Sequence, residues 1–86
     1  MKLNIYAIRD RATNQYLNPM TLINNGMAIR NFADQINSND PDNMLAKHAS
    51  DYDLYALGIY DTDTGTFETW QPTQIAVGKD LRIKAE

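Results

Sequence analysis

Asp53-Leu54-Tyr55-Ala56-Leu57-Gly58-Ile59-Tyr60 is the clearest strand in the chain, and the residues after it decide the fold. Leu54, Ala56 and Gly58 alternate with Tyr55, Leu57 and Ile59, the period-two pattern of a strand with apolar side chains on both faces. Asp61-Thr62-Asp63-Thr64-Gly65 follows as a turn, and Thr66-Phe67-Glu68-Thr69-Trp70 is again β-prone. Strand, Asp/Gly-rich turn, strand predicts a hairpin. Gly65 is placed to supply the positive φ that such a loop needs.

Upstream, residues 2–9 predict a second strand, with Leu3, Ile5 and Ala7 on one side and Tyr6 and Ile8 on the other. Apolar residues on both sides imply cover, at least in part, on both faces. Asp10 to Pro19 is polar and broken by Asn14, Asn18 and Pro19, and Met20 to Ile23 suits a short strand. Asn24-Asn25-Gly26 leads into a helix over 26–37, where Ile29, Phe32, Ala33 and Ile36 fall at i, i+3, i+4 and i+7, one buried stripe. Pro41 suits the first position of a new helical turn, and 43–48 reads as a short second helix. Beyond Pro72, Thr73 to Val77 reads as a helical turn or loop, and Leu81-Arg82-Ile83-Lys84 as an edge strand kept from aggregating by its cations. The expectation is one α+β domain over 1–86, a small antiparallel sheet with one main helix packed on it.

With 86 residues the chain has a modest core of its own. Its composition, 43% hydrophobic and 22% charged, argues against disorder. There is no cysteine, so disulfides and thiolate metal sites are excluded. A partner chain is the remaining way to bury more surface, which makes a homodimer the expected state. No apolar run approaches the roughly 20 residues of a membrane helix, and Met1 to Tyr6 is too short and polar for a signal peptide. A cytoplasmic protein without membrane contact is expected.

The charges are sorted by position. Residues 1–30 carry Lys2, Arg9, Arg11 and Arg30 against Asp10 alone. Residues 31–69 carry Lys47 as their one cation against seven aspartates and Glu68. Residues 70–86 return to Lys79, Arg82 and Lys84 against Asp80 and Glu86. The net charge of −3 therefore hides two basic ends and an acidic middle. If the fold brings the basic ends together, they pool into one cationic surface set apart from the carboxylates, suited to a polyanion or to another copy of the chain.

Chemistry is harder to find than charge. Asp61-x-Asp63-x-Gly65 looks like the start of a calcium loop, but an EF-hand needs glycine sixth and glutamate twelfth, where Gly65 is fifth and Pro72 twelfth. His48, the one histidine, has Asp51 nearby but otherwise suits the end of a short helix. Ser38 and Ser50 lie in no nucleophile motif, and there is no phosphate loop. No enzyme, metal or cofactor is expected. Aromatic residues beside cations are the equipment of a single-stranded nucleic acid platform, on which bases stack while cations track phosphates. Packing of a small core accounts for about half of the rings. Tyr16, in the polar loop beside Arg9 and Arg11, is the best candidate for an exposed one.

Two blocks carry a family resemblance. The first is Tyr6-Ala7-Ile8-Arg9-Asp10, then Tyr16, Pro19 and Gly26-Met27-Ala28-Ile29-Arg30-Asn31-Phe32-Ala33-Asp34-Gln35-Ile36-Asn37. The second is His48-Ala49-Ser50-Asp51-Tyr52-Asp53-Leu54-Tyr55-Ala56-Leu57-Gly58-Ile59-Tyr60-Asp61, with Gly65 after it. Together they resemble the small nonstructural protein of gokushoviruses, single-stranded DNA phages of the Microviridae. Ala49 departs from the proline that many relatives carry after the histidine, and the resemblance fades from Trp70 onward. It implies a DNA-binding role in phage replication in the host bacterial cytoplasm, helping the switch from double-stranded replication to single-stranded genome synthesis and packaging. It supplies no catalytic residues.

The residues and the resemblance converge on a homodimer that binds single-stranded DNA with little sequence preference. Arg9, Arg11, Lys79, Arg82 and Lys84 would contact phosphates, with Lys2 and Arg30 as additions, and Tyr16 and Trp70 would stack bases. The alternative is a homo-oligomeric interaction module that docks on a phage or host replication protein without touching DNA. A metal-dependent aspartate hydrolase is a remote third class and would require carboxylates clustered in a pocket.

Overall fold

The computed structural model describes residues 1–83. Its strands are β1 (Lys2–Asp10), β2 (Gln15–Tyr16), β3 (Met20–Leu22), β4 (Tyr52–Asp61) and β5 (Thr66–Val77). They form one antiparallel sheet ordered β2-β1-β4-β5. β4 runs along one edge of β1 and pairs with β5 on its other side. The two short strands share the remaining edge of β1: β2 pairs with Arg9 and Asp10, and β3 with Asn4 to Tyr6. The fold is α+β, as the alternation and the helical stripe imply.

The β4–β5 hairpin closes as its residues dictate. The Asp61 carboxylate accepts from the Asp63 amide at 2.9 Å, and the Gly65 amide donates to the Asp61 carbonyl at 2.8 Å. Gly65 sits at φ +70°, in the left-handed region where a Cβ is penalised. The Asp61–Gly65 segment is thus a hairpin turn. Among the described residues no group of three or more acidic or histidine side chains could hold a metal ion.

Helix α1 (Asn25–Ile36) begins where the Asn24 side chain accepts from the Met27 amide at 2.9 Å, satisfying one of the donors that a helix start leaves free. Its buried residues Ala28, Phe32 and Ile36 meet Tyr6, Tyr52 and Leu54 from the sheet, with Ile29 packed beside them. Cross-strand partners share a face. Ile8 opposite Leu54 and Tyr6 opposite Ala56 therefore define the side that α1 covers, and Ala7 opposite Tyr55 defines the other. Both faces of β1 carry buried residues, as its sequence predicts: Tyr6 is buried on the helix side, Ile5 and Ala7 on the opposite one.

Several readings need correction. Thr73 to Val77 is neither helix nor loop but the second half of β5. Pro72 is tolerated because the ladder is already interrupted there, between the Ala56–Thr73 and Gly58–Thr69 pairs, on a strand whose outer edge carries no partner strand among the described residues. Leu81 does not begin an edge strand; it ends the short helix that follows β5, and Lys84 lies outside the described residues. Pro41 sits in a turn, and the next helix, α2 (Met44–Lys47), is started instead by Asn43, whose side chain accepts from the Leu45 amide at 3.0 Å. A 3₁₀ turn (Ala49–Asp51) then leads into β4, and α3 (Gly78–Leu81) follows β5. No helix among the described residues is long and apolar enough to cross a membrane.

Candidate nucleic-acid interface

The register fixes which cations meet. Arg9 pairs with Asp53, and Asp53 with Val77. The end of β1, the start of β4 and the end of β5 therefore lie side by side, with α3 emerging from the same end. Arg9 and Arg11 share that end with Lys79 and Arg82. Lys2 does not: it pairs with Asp61 at the opposite end, where the Met1 ammonium also meets the Asp63 carboxylate at 2.8 Å. The finish of β1 and α3 do share one end, but the first residues do not join them, and the cations are not set apart from carboxylates as expected, since Asp10 and Asp53 lie at the same end and Asp80 sits on α3. Arg30 is exposed on α1.

A glycine makes the cluster possible. A Cβ on Gly78 would run into the carbonyls of Ala49 and Tyr52 and reach 3.0 Å from Ile36 Cδ1. Only hydrogen lets β5 turn into α3 this close to the 3₁₀ turn. Asn37, the C-cap of α1, then holds the segment in place. Its amide nitrogen donates to the Ala33 carbonyl at 2.9 Å and the Leu81 carbonyl at 3.0 Å, and its oxygen accepts from the Ile83 amide at 2.7 Å. The Arg82 guanidinium donates to the carbonyls of Ile36, at 3.3 Å, and Ala46. These lie in the last turns of α1 and α2, where carbonyl groups are left over and a cation is favoured.

The result is an open notch of about 350 Å³ lined by Lys47, His48, Ala49, Ser50, Lys79 and Arg82. Three cations, an imidazole and a hydroxyl line it without a carboxylate, the chemistry that recognises phosphate. A slightly larger hollow of about 410 Å³ between α1 and the β1/β3 edge is lined by Ile8, Met20, Phe32, Asn31, Gln35 and Asp34. Its one charge is negative, so it does not suit a polyanion.

Arg11 flanks the notch but is already engaged. Its Nε lies 3.1 Å from Asp53 Oδ2, and its terminal nitrogen donates to the Ser50 carbonyl. The Asp53 side chain is 3% exposed, so Arg11 first neutralises a buried carboxylate and ties β1 to the 3₁₀ turn. Tyr16 is 44% exposed, as expected of a stacking ring. The Arg9 guanidinium lies 5.9 Å from its centroid, within cation–π range, and Tyr55 meets it edge-on at 5.5 Å. Arg9 also donates to the Asn14 side chain, and Asn14 adopts φ 58° in the turn before β2. Trp70 is 43% exposed but lies elsewhere, lining a hollow with Asn25 of α1 and Asn4 of β1. It does not join Tyr16 in one stacking site.

Sequence reasoning misses Lys47 and His48 as lining residues of the notch. The available signal is that Lys47 is the one cation in the acidic middle. The 3₁₀ turn places it opposite the C-terminal cations rather than among carboxylates.

A family model described as Phage ORF5 protein matches residues 3–81 of the chain. Neither the curated proteins nor the solved structures contain a match.

Proposed function

The chain belongs to the phage ORF5 protein family, and from that membership we propose that it is a non-enzymatic, nonstructural phage protein that binds single-stranded DNA in the host cytoplasm during genome replication and packaging. The reading rests chiefly on one observation, the notch lined by Lys47, His48, Ser50, Lys79 and Arg82 with no acidic side chain among its lining residues. Phosphates enter the notch, while Tyr16, with Arg9 beside it, offers a ring to a base at the same end of the sheet. The resemblance to the gokushovirus nonstructural protein supports the narrower assignment, a role in the switch to single-stranded genome synthesis. The overall charge of −3 means that attraction is local to this end and does not extend over the molecule.

Fluorescence anisotropy with single- and double-stranded oligonucleotides at two salt concentrations tests the proposal. Binding is expected to favour the single strand, vary little with sequence and weaken steeply with salt. Lys47→Ala and Lys79→Ala should each lower the salt slope by about one. Affinity that ignores salt, or that is unchanged in the Lys47→Ala/Lys79→Ala double variant, would sink it.

A further inference from the structure

The hollow that Trp70 lines is separate from the cationic notch and different in chemistry. It measures about 400 Å³, and no charged side chain among the described residues lines it. Asn4 of β1, Asn25 at the start of α1 and Thr73 of β5 supply its polar groups, and Ala56 and Ile75 its apolar ones. By register Ala56 stands between Tyr6 and Thr73, on the side of the sheet that α1 covers. Alternation along β1 puts Asn4 on that side too.

One buried hydroxyl holds both amides. Asn4 Nδ2 donates to the Tyr6 phenol oxygen at 3.1 Å, and that phenol donates to Asn25 Oδ1 at 2.6 Å. Tyr6 is buried, so the relay is anchored in the core. The relay settles which way each amide faces. Asn4 keeps its carbonyl oxygen and Asn25 its amino group, and neither atom makes a hydrogen bond among the described residues. The hollow thus presents one oriented acceptor and one oriented donor, with a half-exposed indole beside them.

This chemistry selects the occupant. Every DNA base has a flat π-face and, on its edge, an N–H donor next to a nitrogen or carbonyl acceptor. One acceptor and one donor therefore suit any base, and stacking on an aromatic ring is equally tolerant of sequence. A phosphate is unsuited, because the hollow offers it no cation and Glu68 lies on the same side of the sheet, opposite Ile59, which is itself opposite Asn4. A sugar ring would set hydroxyls against Ala56 and Ile75 without partners.

We infer that the hollow is a nucleobase pocket. One unstacked base lies against Trp70, donates to Asn4 Oδ1 and accepts from Asn25 Nδ2. The inference does not rest on the notch. The base belongs to a single strand or to a free nucleoside, and the test separates the two.

The chain has one tryptophan, so a single indole N–H signal reports the pocket in a proton–nitrogen correlation NMR spectrum. Deoxyadenosine, which carries no phosphate, should shift that signal and the Asn4 and Asn25 side-chain amides saturably, and equally at low and high salt. Methyl glucoside should leave them in place. Tyr6→Phe keeps the ring in the core but releases both amides, and should weaken deoxyadenosine binding about fivefold. Trp70→Ala, with unchanged far-ultraviolet circular dichroism, should lower the affinity for a single-stranded oligonucleotide at least about fivefold and leave its salt slope unaltered. Full oligonucleotide affinity in that variant, with deoxyadenosine still bound by wild type, would assign the pocket to free nucleosides. An indole signal that deoxyadenosine does not move, shifts that fade with salt, or an equal response to methyl glucoside would each overturn the inference. The Lys47→Ala/Lys79→Ala variant should bind deoxyadenosine as wild type does, so failure of the notch and failure of the pocket read separately.

Discussion

Replacing Arg11 by methionine should destabilise the protein by about 3 kcal/mol, although Arg11 is half-exposed. The side chain spans the surface, but its Nε lies 3.1 Å from Asp53 Oδ2 on a side chain that is 3% exposed. Removing one partner of a buried ion pair strands the other charge in a poor solvent and costs roughly 3–5 kcal/mol. The lower figure applies because the Arg11 end of the pair reaches water. Asp53 is already poorly satisfied, since its Oδ1 is buried without a hydrogen-bond partner among the described residues. Asp53→Asn removes the charge but keeps the shape, so it should cost only about 1–2 kcal/mol. The decisive quantity is the coupling. In the Asp53→Asn background no carboxylate is left stranded, so the added cost of Arg11→Met should fall by at least about 1 kcal/mol. For a chain of this size about 3 kcal/mol corresponds to a fall in Tm of roughly 12–24 °C. Urea and thermal unfolding of the four proteins of the cycle supply the numbers. Arg11→Met within about 0.5 kcal/mol of wild type, or strictly additive costs, would refute the claim that this arginine is first a counter-ion.

Burial, with the Asp10 and Asp51 carboxylates next in importance, pushes the Tyr52 phenol above its ordinary value of 10.0. The folded state thus favours the protonated phenol; its contribution is intact below pH 10 and is lost as pH rises through the higher folded value. Tyr52→Phe should abolish that part of the alkaline loss, read as a smaller drop in Tm between pH 9.5 and 11 than in wild type. Gly58→Ala places a Cβ against the Glu68 carbonyl and 2.9 Å from Thr69 Cα; a cost of about 1–3 kcal/mol is expected, and an unchanged urea midpoint would show that the strands can part there freely. Asn24→Ala removes the acceptor of the Met27 amide and should cost about 1 kcal/mol by chemical denaturation, with Asn24→Asp retaining most of the stability.

Local pattern makes the hairpin and α1 readable in advance. Leu54 and Tyr60 lie on a strand long enough to be recognised, although the bulge at Leu57 breaks the read alternation and puts Gly58 on the face of Tyr55 rather than of Leu54, and Phe32 and Ile36 mark a helix three turns long. β5 is half hidden because Pro72 argues against a strand by every local rule, and its licence comes from a ladder irregularity that shows only once β4 and β5 are paired. The misreading of Leu81 to Lys84 has a similar origin. Four alternating residues cannot outweigh Gly78, whose importance lies in carbonyls contributed from residues 49 and 52. The notch is legible only as separate charges. Lys47, Lys79 and Arg82 come from segments that a sequence keeps apart, and only Asn37 and the 3₁₀ turn make them neighbours. Arg11 is legible as a cation, but its buried counter-ion follows from the register of β1 on β4.

Pro72 has a consequence for a cell that fills with copies of this chain. β5 is a 12-residue border strand whose first nine residues face solvent. An uninterrupted rim of that length would invite neighbours to zip on without limit. The imino acid and the kink around it cut the rim into two short runs out of step with each other, so no neighbour can pair along its whole length.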